Sequence, residues 1–126
     1  MSQDRPVFRA LIIDDDVDLL LLVRRTLEFT AGWEVHTASS GITGIELARS
    51  LAPDVVLVDV MMPEMDGYEV SRRLKDDEAT ARIPLVLLTA RRETNPARVA
   101  AAQVAGILYK PFQPADLARQ IRDLCR

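Results

Sequence analysis

Five short runs, residues 8–13, 33–38, 55–58, 85–88 and 107–109, are predominantly apolar and are bounded by turn-forming or acidic residues. A strand with one solvated face alternates apolar and polar residues, whereas a strand covered on both faces does not. These runs read as five strands of the second kind. Between them the spacing becomes that of helices with one apolar face: Leu19, Val23 and Leu27 after the first run, and Leu117, Ile121 and Leu124 after the last. Regular alternation of strand and helix implies right-handed crossovers and a parallel sheet covered on both sides, an α/β fold.

The 126 residues suffice for one such unit and are too few for two. With only 5% aromatic residues, the core must be built from Leu, Val, Ile and Ala. Helix starts can be read at several points. Asn95 followed by Pro96 offers a cap and a first helical residue, Pro114 suits the same role for the last helix, and Asp66 with Glu69 has capping-box spacing. Gly44 is expected to interrupt the second helix, and the stretch 97–105 has a poorly defined apolar face.

Charge and composition exclude several functions. With 16 basic and 19 acidic residues the net charge is −3, so direct nucleic-acid binding is not expected. The N-terminus lacks an apolar signal core and every apolar run is shorter than a membrane span, which points to a cytoplasmic protein without a membrane partner. Cys125 is the single cysteine, has no internal partner and reads as an ordinary thiol.

In an open parallel sheet, chemistry gathers outside the carboxyl ends of the strands. Here the first strand ends in Asp14, Asp15 and Asp16, the third in Asp59, the fourth in Thr89 and the fifth in Lys110. Alone, each acid reads equally well as a helix cap and the lysine as a surface charge. Together, a carboxylate cluster facing one hydroxyl and one ammonium is what phosphoryl transfer to an aspartate requires. Three carboxylates about 5 Å apart repel by roughly 3 kcal/mol per pair at an effective dielectric of about 20, so the cluster calls for a counter-charge. Mg2+ suits it, taking one or two carboxylates and completing its octahedron with water and phosphoryl oxygens.

The runs IIDDD at 12–16, DVMMPEMDG at 59–67, LLTA at 87–90 and KPF at 110–112 resemble, in order and in register, the signature segments of the receiver domains of two-component response regulators, the CheY-like family. The resemblance covers essentially the whole chain, 1–126, as one receiver domain. It implies a flavodoxin-like (βα)5 three-layer sandwich with a five-stranded parallel sheet of order 2-1-3-4-5. It also implies roles: Asp59 as phosphoacceptor, Asp15 and Asp14 as Mg2+ ligands, the latter largely through water, the Met61 backbone carbonyl as a further ligand, and Thr89 and Lys110 on the phosphoryl group. Asp16 has no such role and is expected to start the first helix. Pro63 and Gly67 read as backbone devices in the loop after Asp59. The Lys110–Pro111 bond is expected to be cis.

Further expectations follow from the resemblance. A sensor histidine kinase or phosphotransfer protein would be the donor, and a downstream effector or output domain the reader. A homodimer through the face of the fourth helix, fifth strand and fifth helix is among the arrangements it allows. The chain would be a switch and not an enzyme with an external product. A magnesium phosphatase working through an aspartyl phosphate would place an acid two residues after its nucleophile, where this chain has Met61. Met61 and Arg91 flank the expected path of an attacking water and neither can serve as its base, so slow loss of the phosphoryl group is expected.

The pattern departs from the family at AGILYK, 105–110, where the loop before the fifth strand is short. The position usually held by a switching aromatic falls on Ile107, and Tyr109 lies two residues closer to the lysine on the same strand face. Tyr109, or the loop at 104–106, is expected to carry part of the signal. His36, Trp33 and Phe8 read as structural residues, and Arg72, Arg73, Arg91 and Arg92 as solvated faces, Arg91 nearest to Thr89.

Overall fold

The computed structural model describes residues 7–90 and 94–125. The elements run β1 Arg9–Ile13, α1 Val17–Ala31, β2 Glu34–Ala38, α2 Gly41–Leu51, β3 Val55–Asp59, α3 Gly67–Lys75, β4 Leu85–Thr89, α4 Pro96–Ala102, β5 Gly106–Tyr109, a 3-10 turn Pro114–Asp116 and α5 Leu117–Leu124. All strands are parallel and ordered β2-β1-β3-β4-β5. This is the flavodoxin-like order that the family resemblance implied, and each expected strand lies within one residue of its observed bounds.

Strand alternation divides the core into two layers. Leu11, Ile13, Val56, Val58, Leu85 and Leu87 face α2, α3 and α4. Ala10, Ile12, Val55, Leu57, Val86 and Leu88 face α1 and α5. β3 and β4 are buried at every position, while the edge strands β2 and β5 are partly exposed. Hence the run 33–38 tolerates Glu34 and His36: His36 Nε2 lies 2.8 Å from Glu34 Oε2, which Arg9 also pairs at 2.6 Å. Trp33 packs on Phe8 with ring centroids 4.4 Å apart. Trp33 and Phe8 thus pack against each other, and His36 pairs within its own strand.

Helix starts follow local chemistry. The side chains of Asp16, Ser40, Asp66 and Asn95 accept hydrogen bonds from the N–H groups of Leu19, Thr43, Glu69 and Arg98, capping α1 to α4. The capping box at α3 is only half formed, because the Glu69 carboxylate is engaged by Arg72 and Arg73. Pro114 opens the 3-10 turn, and α5 begins three residues later. α4 stops at Ala102 because Gln103 turns left-handed at φ 55, and Ala105 N–H then bonds Leu85 O at 2.7 Å, starting β5. The Lys110–Pro111 bond is cis.

Gly44 does not interrupt α2, which runs through it unbroken. The glycine is there for contact: a Cβ would lie 2.6 Å from Ile13 Cγ1 and 3.1 Å from its Cγ2, with Ile13 fully buried. Alanine gains about 1 kcal/mol in helix propensity over glycine, but overpacking an immovable neighbour costs about 1–3 kcal/mol. The second effect wins. Gly44→Ala should lower stability by about 1 kcal/mol, read as a fall in the urea midpoint without a change in slope.

Candidate functional site

β1 and β3 are neighbours in the sheet, and both end at the same edge. Because β2 lies beyond β1 and β4 beyond β3, the connections leave in opposite directions there and open a crevice. Asp59 is the last residue of β3 and only 4% exposed; Asp14 follows β1 and is fully buried. Asp14 N–H bonds Ala38 O at 3.1 Å, which fixes the residue against β2.

The three consecutive acids have three fates. Asp14 turns inward, its Oδ1 accepting from Asp16 N–H at 2.9 Å. Asp15 is exposed. Asp16 caps α1, accepting from Leu19 N–H at 3.1 Å, as the sequence suggested. One ligand oxygen each from Asp14, Asp15 and Asp59 lies within 4.8 Å of the others.

Lys110 completes the cluster from β5. Its Nζ donates to Asp14 Oδ2 at 3.1 Å and to Asp59 Oδ1 at 3.2 Å. Burial alone would pull the ammonium down, but the hydrogen bonds and charges of Asp14 and Asp59 outweigh it and hold Lys110 above its usual range. Asp59 is raised as well, which for a carboxyl group disfavours the charged form. Burial and then the charge of Asp14 raise it from 3.8 to about 6, against the pull of Lys110 and of the Met61 N–H. One ammonium against three carboxyl groups leaves the cluster short of positive charge. A hard divalent cation fits this all-oxygen set.

Thr89 ends β4, is 1% exposed and stands opposite Tyr109 in the β4–β5 register. Its hydroxyl donates to the carbonyl of Ala90 at 3.0 Å. Met61 turns its N–H to the Asp59 carboxylate and leaves its side chain in solvent. Arg91 and Arg92 lie outside the described residues. In the loop after Asp59, Glu64 adopts a left-handed φ of 69, and Gly67 N–H bonds Val60 O at 3.0 Å. A Cβ on Gly67 would collide with the carbonyl of Asp59, so the glycine keeps this loop folded tightly over the strand end.

One group of residues escaped the sequence reading. The Tyr68 hydroxyl accepts from Asn95 N–H at 3.1 Å, the Arg98 guanidinium lies 4.3 Å from the Tyr68 ring centroid, and Arg98 pairs with Asp66 at 3.1 Å. These contacts tie the start of α4 to the loop that follows Asp59. Tyr68 sits immediately after Gly67, and only the packing of α4 on α3 reveals what it meets.

A model of the response regulator receiver domain matches residues 10–122. Among curated relatives, the DNA-binding dual master transcriptional regulator RpaA of Synechocystis sp. is 40% identical over 125 residues, covering 94% of this chain and 49% of that protein. The response regulator PleD of Caulobacter vibrioides is 38% identical over 122 residues, covering 94% of this chain and 26% of that protein. The chain thus spans about half the length of one and a quarter of the other. Among solved structures, the Vibrio cholerae chemotaxis protein CheY4 superposes with a TM-score of 0.85 at 30% identity, covering 94% of this chain and 98% of that one.

The raised carboxyl at Asp59 has a stability consequence. The folded chain holds this proton up to about pH 6 and the unfolded chain only to 3.8, so ionised Asp59 destabilises the fold above pH 6 and the penalty fades as pH falls toward 4. The full difference corresponds to about 3 kcal/mol, which screening at the open mouth of the site reduces to about 1–2 kcal/mol. In the presence of a chelator, Asp59→Asn should therefore be about 1–2 kcal/mol more stable than wild type at pH 7.5, with the gain vanishing below pH 4. Urea melts across that range measure it.

Proposed function

The chain belongs to the response-regulator receiver family of two-component signalling, and we propose that residues 1–126 form one phosphorylation switch in which Asp59 is the acceptor. The observation that carries this reading is the buried Asp59 carboxylate, shared with Lys110 and flanked by Asp14 and Asp15. The donor is the phosphohistidine of a sensor histidine kinase or of a phosphotransfer protein.

In the transfer, an Asp59 oxygen attacks phosphorus as the phosphorus–nitrogen bond to the imidazole breaks, and the leaving nitrogen takes up a proton. Mg2+, held by Asp14, Asp15, Asp59 and the Met61 carbonyl, would offset the charge gathering on the phosphoryl oxygens. Lys110 already bonds Asp59 Oδ1 and can turn one of its protons to the incoming group. Thr89 must give up its bond to the Ala90 carbonyl before its hydroxyl can serve a phosphoryl oxygen. That change of partner links the chemistry to the end of β4.

An acid two residues after Asp59 would favour turnover of an external substrate, and Met61 supplies none. The product is therefore the modified chain itself, read by an effector or output domain. Slow loss of the phosphoryl group follows from the same lack of a base at Met61. The face made by α4, β5 and α5 is where phosphorylation is felt, and it is also a face through which two copies can pair. Ile107 there packs into the α2-α3-α4 layer and is stiff at its first torsion. Tyr109, opposite Thr89 in register, and the loop at 104–106 are better placed to carry the change.

Incubation with a small phosphodonor and Mg2+ should add one phosphoryl group to wild type, measured by intact mass, and none to Asp59→Asn or to wild type in a chelator. Equal labelling of Asp59→Asn would refute the acceptor assignment. Tyr109→Ala should label normally, yet lose most of the phosphorylation-dependent difference in partner binding, measured by titration of the partner against both forms.

A further inference from the structure

Helix α4 is held by little apolar contact. It has 7 residues, of which only Ala102 is buried, with Val99 partly packed beside it. A helix this short does not stand on propensity, so polar contacts must set where it starts. Two such contacts reach it from the start of α3. The Tyr68 hydroxyl, on a side chain buried in the core, accepts from Asn95 N–H at 3.1 Å, and Asn95 in turn caps the helix through Arg98 N–H at 3.1 Å. The Arg98 guanidinium returns over the Tyr68 ring, 4.3 Å from its centroid, and pairs with Asp66 at 3.1 Å. Between Asp66 and Tyr68, Gly67 N–H bonds the carbonyl of Val60, so both contacts are anchored next to Asp59.

The start of α4 is also joined to Thr89. The Ala90 carbonyl accepts from the Thr89 hydroxyl at 3.0 Å and from the Thr94 hydroxyl at 3.5 Å, and Thr94 directly precedes Asn95. One carbonyl thus connects the end of β4 to the first turn of α4. When the Thr89 hydroxyl leaves for a phosphoryl oxygen, the shorter of these two bonds is lost, while Tyr68 and Arg98 still hold α4 where it was. There is room for the helix to shift: a cleft of about 170 Å3, lined by Tyr68, Glu69, Arg72, Arg98, Ala101 and Ala102, lies open between α3 and α4. The contacts to Tyr68 and Asp66 oppose that shift.

We infer that Tyr68 and Arg98 form an autoinhibitory latch, which holds the start of α4 in the arrangement where Thr89 bonds Ala90 and so competes with the turn of Thr89 toward a phosphoryl group. The inference rests on the reading of Asp59 as acceptor and adds the contact that works against modification. Its sign is fixed by linkage. Whatever favours the closed latch weakens the modified state by the same factor, so loosening the latch tightens the site for a phosphoryl group. Loss of a contact that merely held the fold together would leave that affinity unchanged or lower it.

The probe is beryllium fluoride with Mg2+, a tetrahedral mimic of a phosphoryl group on a carboxylate, titrated into the whole chain and followed by nuclear magnetic resonance of the backbone amides. Tyr68→Phe removes the hydroxyl and keeps the ring under Arg98; it should bind the mimic about fivefold more tightly than wild type, the factor carried by one hydrogen bond. Arg98→Met removes the stacked charge and the ion pair but keeps the aliphatic stem, and should tighten binding about threefold. In wild type, the Asn95 amide should exchange with solvent several-fold faster once the mimic is bound, while the amides of β3 stay protected. Urea melts of unchanged slope establish that the variants keep the fold, and Arg98→Met, at an exposed position, decides the matter if Tyr68→Phe does not. Equal or weaker binding by the folded variant overturns the inference, as does an Asn95 amide that stays protected in the mimic-bound wild type. If wild type takes up no mimic, the assignment of Asp59 falls and the latch with it. If wild type binds it, Asp59→Asn does not, and loosening the latch brings no gain, the latch alone is wrong.

Discussion

The ammonium of Lys110, 3.1 Å from Asp14 and 3.2 Å from Asp59, is the interaction on which the rest of this structure depends. It joins three strands, reaching from β5 past the end of β4 to carboxylates on β3 and β1. Without it two buried carboxylates would face each other across a crevice with little water to screen them. With it they are held close, and Asp59 is still raised to about 6. The site is therefore poised: it is satisfied enough to fold, and short enough of positive charge to favour a cation.

The same frame fixes what moves and what does not. β3 and β4 are buried along their whole length, so Asp59 and Thr89 start from a rigid base. Beyond the strand ends the chain is held by few and specific contacts: the Gly67 N–H on Val60, the Thr89 hydroxyl on Ala90, and the Tyr68 hydroxyl on the first turn of α4. Arg98 adds a stacked cation and an ion pair to Asp66, so α4 is tied to the loop after Asp59 from two sides. The loop after Asp59 is thus in contact with α4 through Tyr68, independently of β5. This bears on a chain whose β5 carries Ile107 where an aromatic is usual.

Helix α1 buries one side and leaves apolar side chains on the other. Asp16 starts it and Leu20, Val23 and Leu27 anchor it, which any amphipathic helix on this sheet needs. On its outer side Leu21 and Leu22 are about half covered, while Phe29 leaves its ring in water.

Much of this was legible in the sequence because it rests on local rules. Runs of Leu, Val and Ile without alternation mark strands covered on both faces, and Asp16 and Asn95 mark helix starts through oxygens that reach an N–H two or three residues on. The acids and the lysine at strand ends could be placed on one edge because parallel strands all point the same way. What tertiary structure alone decided depends on residues far apart in the chain. Gly44 read as a helix breaker until Ile13 appeared beneath it, and Glu69 as half of a capping box until Arg72 and Arg73 claimed its carboxylate. That Asp14 turns inward while Asp15 stays exposed was set by which of them the Ala38 carbonyl and Lys110 could reach. Propensity and periodicity act over a few residues and so are written in the sequence. Burial, close contact and the sharing of one ammonium by two carboxylates exist only once the strands lie side by side.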